Sequence, residues 1–141
     1  MTSLEKKLKN PVWFSLNETH NKFLIDYDGV QFYHPEICTF GAFTDVTKTA
    51  KALNEYSKGS KNFFLVSEHE TPLIDAASVF LEKKIEGCQM VLETLVDIEI
   101  SENIVPLTEN YIDEIYELIW LVMPGYYQKR SFNMGNFFGI F

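Results

Sequence analysis

The sequence predicts a mixed α+β fold: an N-terminal α/β layer, then a strand-helix-loop-strand unit. Three observations carry that prediction. Two short alternating apolar runs, Lys22 to Asp26 and Val30 to His34, flank Tyr27-Asp28-Gly29, and Asp-Gly between such runs signals a hairpin. Helical periodicity appears at Val46, Ala50, Leu53 and Tyr56, and again at Ile112, Ile115, Tyr116, Ile119 and Met123. The end of the sequence, Gly135-Asn136-Phe137-Phe138-Gly139-Ile140-Phe141, is an apolar run that reads as a buried strand.

In chain order, Asn10-Pro11 marks a helix start, with Asn at the cap and Pro at the first helical position. That helix is expected to carry Trp13, Phe14 and Leu16 and to end near His20. The hairpin follows, and Pro35 to Phe43 reads as loop. Thr44 or Asp45 caps a helix running to about Ser57, which Lys58-Gly59 closes. Asn62 to Val66 reads as a central strand and Glu68 to Pro72 as a polar turn. Leu73 to Lys84 is moderately helical in pattern, and Ile85 to Leu92 reads as another strand. A boundary is expected at the acidic stretch 97–103, dividing a domain over 1–97 from a second unit over 98–141. Ile104 to Leu107 is extended. Thr108 caps the next helix, with Glu109 in its first turn where the dipole favours an anion, and Pro124-Gly125 ends it. Because a buried strand needs neighbours on both sides, the terminal run is expected to belong to an unfinished sheet, the front part of a longer, truncated architecture.

The 141 residues are 46% apolar and 15% aromatic, with twelve Phe and seven Tyr, enough for a core built on large rings. A net charge of −8 and a pI near 4.8 argue against a nucleic-acid partner and against docking on anionic membrane. Arg130 is the only arginine. Cys38 and Cys88 have no CxxC spacing, so both read as free, buried thiols rather than zinc ligands. The N-terminus has no signal-peptide core and no stretch is long enough to span a bilayer, which leads to an expected cytoplasmic location. Asn17-Glu18-Thr19 matches a glycosylation sequon but has no meaning without export. His20, His34 and His69 are isolated along the chain and read as structural. The pairs Asp97/Glu99 and Glu114/Glu117 read as a solvated face. No nucleophile motif is present.

The chain resembles the opening of the GNAT (acyl-CoA-dependent N-acetyltransferase) fold from about Val105 onward. The local match is Met123-Pro124-Gly125-Tyr126-Tyr127-Gln128-Lys129-Arg130-Ser131-Phe132-Asn133-Met134-Gly135-Asn136-Phe137-Phe138-Gly139-Ile140. It is similar to a pattern of one subgroup: Pro-Gly, an aromatic, Arg-Ser/Thr, Leu/Met-Gly, an aromatic and Gly-Ile. Asn10 to Asn17, Phe40-Gly41-Ala42-Phe43, Asn62 to Val66 and Gln89 to Leu92 resemble that subgroup's N-terminal domain. The resemblance implies acetyl transfer from acetyl-CoA to a small-molecule or peptide amine, with the front domain helping to wall the acceptor site. It also implies a Gly-x-Gly/Ala loop that opens a helix and holds the cofactor pyrophosphate. The glycines here stand at 29, 41, 59, 87, 125, 135 and 139, so no Gly-x-Gly exists. No catalytic or acetyl-CoA-binding residue carries over, and residues 1–141 are expected to be inactive alone.

By the same resemblance Arg130 lies in a loop bordering the acceptor pocket, where it would pair with an acceptor carboxylate. The competing reading is a surface arginine or a loop-bracing salt bridge. Tyr126 and Tyr127 flank that loop as acceptor contacts or as packing rings. Trp13 and Asn17, four apart on one helix face, either contribute to the acceptor wall or serve as an anchor and a turn side chain. A reading of another class is a non-catalytic module that binds a small ligand, or its own copy as a homodimer through the C-terminal strand. An acidic mimic of nucleic acid rests on charge alone.

Overall fold

Asn10 opens a helix as expected: its Oδ1 accepts from the Trp13 amide at 3.4 Å, and Pro11 stands first in the helix where a missing N–H costs nothing. The computed structural model that places it describes residues 3–68, 74–94, 96–97 and 99–141. Helix α1 spans Ser3–Lys9 and α2 Pro11–Asn17. The second ends three residues before the expected His20, which instead precedes a 3₁₀ turn at Asn21–Phe23.

The hairpin forms as read. Strands β1 (Leu24–Asp26) and β2 (Val30–Tyr33) pair antiparallel. Asp28 and Gly29 both take positive φ, 54° and 86°, as a two-residue turn of the primed type requires. The Gly29 amide donates to Asp26 Oδ1 at 2.9 Å, which fixes the turn further.

Phe40–Phe43, inside the expected loop, is strand β3. It pairs antiparallel with β2 and parallel with β4, Phe64–Val66. Helix α3 (Thr49–Tyr56) makes the crossover after a 3₁₀ turn at Val46–Lys48. Asp45 caps that turn, accepting from the Thr47 amide at 2.9 Å and its hydroxyl at 2.7 Å. The strand order β1-β2-β3-β4 puts β4 at the sheet edge, not at its centre. The reason lies in residues 85–92, which were expected to form a strand. Among the described residues they have no strand partner, and Ile85, Met90, Val91 and Leu92 are exposed. An apolar run marks a strand only where an edge receives it.

Ile74 to Lys84 is not helical either, and Leu73 lies outside the described residues. The Ser78 amide donates to Asn54 Oδ1 at 2.9 Å, a side-chain bond that replaces an intrahelical one. Ala76 is buried there against the core.

Every residue of β2 is buried because both sheet faces are covered. Val30 and Phe32 face α3, packing with Ala52, Leu53 and Tyr56. The Phe32 and Tyr56 rings stack at 4.0 Å, and Phe63 meets both edge-on. Fully burying one such ring contributes about 1.5–3 kcal/mol. On the other face Tyr33 packs with Leu16 of α2, Ile37 and Cys38.

The remaining unit is strand β5 (Val105–Leu107), a 3₁₀ turn at Glu109–Tyr111, helix α4 (Ile112–Val122), a 3₁₀ segment at Lys129–Met134, and strand β6 (Phe137–Gly139). Strands β5 and β6 pair antiparallel, Leu107 against Phe137 and Val105 against Gly139. Thr108 makes no side-chain cap, since the 3₁₀ turn separates it from the α-helix. Gly125, at φ 88°, turns the chain after α4. The fold is therefore α+β, a four-stranded mixed sheet between helices and a two-stranded sheet with its own helix.

Candidate functional site

The 3₁₀ segment Lys129–Met134 and the loop before it press the second unit onto the first sheet. Ser131 Oγ donates to the Ile37 carbonyl, and its own position is fixed because it accepts from the Gln128 amide at 3.0 Å. The Tyr126 ring stacks on Phe64 at 4.5 Å and leans on Phe40 at 6.4 Å. Tyr127 is buried edge-on to Phe137 at 6.0 Å, and burial pushes its phenol pKa up. Tyr126 is a packing ring of this seam, whereas Tyr127 packs within the second unit, its buried hydroxyl without a hydrogen-bond partner among the described residues.

His20 closes the seam from the other side. Its Nε2 lies 2.9 Å from the Met134 carbonyl, and its Nδ1 lies 2.9 Å from Ser15 Oγ and 2.8 Å from Tyr33 Oη. A carbonyl only accepts, so Nε2 carries a proton there, and Nδ1 is left to the two hydroxyls. Burial raises the Tyr33 pKa, against the pull of the Ser15 hydrogen bond. Both nitrogens of the ring are engaged in holding structure, as a structural histidine should be.

Arg130 Nη1 pairs with Glu36 across the seam. Both side chains are more than half exposed, 60% and 59%, so the bridge is weak and exchangeable. On its other side Arg130 lines a cleft of about 250 Å³ together with Lys22, Phe23, Leu24, His34 and Ile37. The hairpin register assembles this cleft. Leu24 pairs with Tyr33, and one step further the His34 amide donates to the Phe23 carbonyl at 2.8 Å.

Trp13 and Asn17 lie elsewhere. Asn17 Nδ2 donates to the Trp13 carbonyl at 2.7 Å and to Gln31 Oε1 at 2.6 Å. Gln31 Nε2 in turn donates to Asn17 Oδ1 at 3.2 Å and to Asp26 Oδ2 at 2.9 Å. Asn17 thus ties α2 to the sheet, and neither it nor Trp13 lines the Arg130 cleft. The structure unites Tyr126, Tyr127 and Arg130 in one loop and leaves Trp13 and Asn17 apart. Sequence reasoning missed Lys22, Phe23 and His34 as neighbours of Arg130. The hairpin register held half of that signal, and the Arg130 contact across 94 residues held the rest.

A second cleft, of about 310 Å³, lies along the two-stranded sheet between Leu107, Glu109, Phe132 and Phe138. Cys38 is buried, and burial pushes its thiol pKa up, whereas Cys88 is exposed, contrary to the expectation for it. Among the described residues no group of three or more His, Cys, Asp or Glu is placed to hold a metal ion. No helix among them is long and apolar enough to cross a membrane. Compared with known proteins, the chain matches no family model, no curated protein and no solved structure.

Proposed function

We propose that residues 1–141 are the acceptor-side part of a GNAT-type acetyltransferase, which moves an acetyl group from acetyl-CoA to an amine. One observation carries the reading. The order β5, α4, loop, 3₁₀ segment 129–134 and β6, with β5 and β6 antiparallel, is the order the resemblance implies for the opening of that fold. The same loop, with Tyr126, Tyr127 and Arg130, rests on the N-terminal sheet, as a shared acceptor wall requires.

Acetyl-CoA itself does not fit the residues present. Its pyrophosphate needs backbone N–H groups from a glycine-rich loop that opens a helix. Helices α2, α3 and α4 begin at Pro11, Thr49 and Ile112, and none follows a Gly-x-Gly. The role of this chain is to bind and orient the amine, and orientation alone supplies a large share of the rate in a two-substrate transfer.

The test has two arms. Calorimetry of acetyl-CoA against residues 1–141 is expected to give no binding heat, and micromolar binding refutes the division of labour. The coding DNA after codon 141 is expected to continue in frame into a Gly-x-Gly/Ala loop. A stop codon there removes the acetyltransferase reading. A non-catalytic dimer is the second reading, favoured by Phe138, Ile140 and Phe141, which are 62%, 61% and 84% exposed. Light scattering separates the two, since a discrete dimer supports the module and a polydisperse sample does not.

A further inference from the structure

Several cations of this acidic protein pair with carboxylates. Lys7 pairs with Glu18, Lys9 with Glu68, Lys48 with Asp28, Lys58 with Glu55 and Lys129 with Asp113. Lys22 is among those that do not: among the described residues no carboxylate pairs with its ammonium, which sits 4.8 Å over the Phe23 ring. It shares the 250 Å³ cleft with Arg130 and with His34. The lining of this cleft thus holds the only arginine, a lysine and a histidine but no Asp or Glu, so an anion entering it meets the charged N–H donors of Arg130 and Lys22 and no acidic side chain of the lining.

The cleft also has an apolar part, supplied by Phe23, Leu24 and Ile37. A bare inorganic anion would gain nothing from it. We infer that the cleft between the β1–β2 hairpin and the Arg130 loop is a binding site for a small organic carboxylate with an apolar body. The body rests on Phe23, Leu24 and Ile37, and the carboxylate meets Arg130 and Lys22. Arg130 has five N–H donors and spends one nitrogen on Glu36, so it holds Glu36 and a ligand together or exchanges one for the other. Resting on the acceptor-side reading above, the carboxylate belongs to the acceptor, which is then an amine that also carries an acid group.

Amide-resolved NMR titration of the 141-residue chain with benzoate, benzamide and inorganic phosphate tests this. Benzoate is expected to shift the amides of Phe23, His34 and Arg130 saturably, while benzamide and phosphate bind at least about tenfold more weakly, the loss of one charge-assisted contact or of the apolar seat. Arg130→Gln and Lys22→Gln should each weaken benzoate about tenfold. Glu36→Gln should tighten it several-fold, a gain that a misfolded variant cannot imitate. Equal affinity for benzoate and benzamide overturns the site, as does phosphate binding without benzoate binding, or a Glu36→Gln variant no tighter than the parent. Acetyl transfer to amines lacking any acid group would remove the acceptor assignment and leave the acetyltransferase reading standing. Benzoate binding beside a downstream frame without the glycine loop would do the reverse.

Discussion

Gly41 sits opposite Phe32 in the β2–β3 register, and replacing it with alanine is the sharpest test of the core described above. A Cβ built at Gly41 would stand 2.3 Å from Phe32 Cδ1, 2.5 Å from Cε1 and 2.8 Å from the Gln31 carbonyl oxygen. Ordinary carbon–carbon contact is about 3.5–4.0 Å, so the shortfall exceeds 1 Å. The ring has nowhere to go: Phe32 is fully buried and stacked on Tyr56 at 4.0 Å. The φ of Gly41 is not in the left-handed region, so alanine pays no backbone strain and gains about 0.4–1 kcal/mol by restricting the unfolded chain. Overpacking costs about 1–3 kcal/mol, and a backbone oxygen in the clash places this site at the upper end. The net is a loss of about 2 kcal/mol, or about 6 °C in Tm for a domain of this size. Urea unfolding followed by far-UV circular dichroism measures it. Phe32→Leu in the Gly41→Ala background should cost less than the two single changes added together. A Gly41→Ala protein as stable as the parent, or strict additivity in the double variant, would show that the ring does not lie across this glycine.

Two further outcomes follow from the cap and the thiols. The Thr47 hydroxyl and amide hold the Asp45 carboxyl below its usual pKa, so its contribution is present above about pH 4 and fades as pH falls through the lower folded value. Asp45→Ala should therefore be less stable than the parent at pH 7, with the gap closing in acid, and an equal gap at pH 7 and pH 3 argues against the cap. Ellman's reagent should titrate Cys88 at once and Cys38 only after denaturation, because Cys38 is buried with a raised thiol pKa. Two fast thiols in the native protein would place Cys38 at the surface.

What the sequence made legible is local. Asn10-Pro11, Asp28-Gly29 and Asp45 each carry their signal within three residues, and each does what its chemistry prescribes. Strand β3 lies inside the stretch Pro35 to Phe43 that reads as loop, and its four residues include Gly41, a poor strand former in isolation. It becomes a strand because β2 and β4 flank it and the Phe32 ring covers the glycine. Residues 85–92 show the converse, strand-like composition without an edge to join. The site divides the same way. Tyr126, Tyr127 and Arg130 were found as one loop, whereas Lys22 and His34 needed the hairpin register and a contact across 94 residues.

The seam around His20 has a thermodynamic consequence. Its bond to Met134 closes a chain loop of 114 residues, which costs about 4 kcal/mol in closure entropy. No single contact there repays that. Ser131 on Ile37 and Arg130 on Glu36, each across 94 residues, and the shorter Tyr126–Phe64 contact all lie within that loop, so whichever forms first bears much of the cost and lowers it for the rest. The junction therefore behaves as a latch that is either shut or sprung, held by His20, Ser131 and Tyr126 and little by the exposed Arg130–Glu36 bridge.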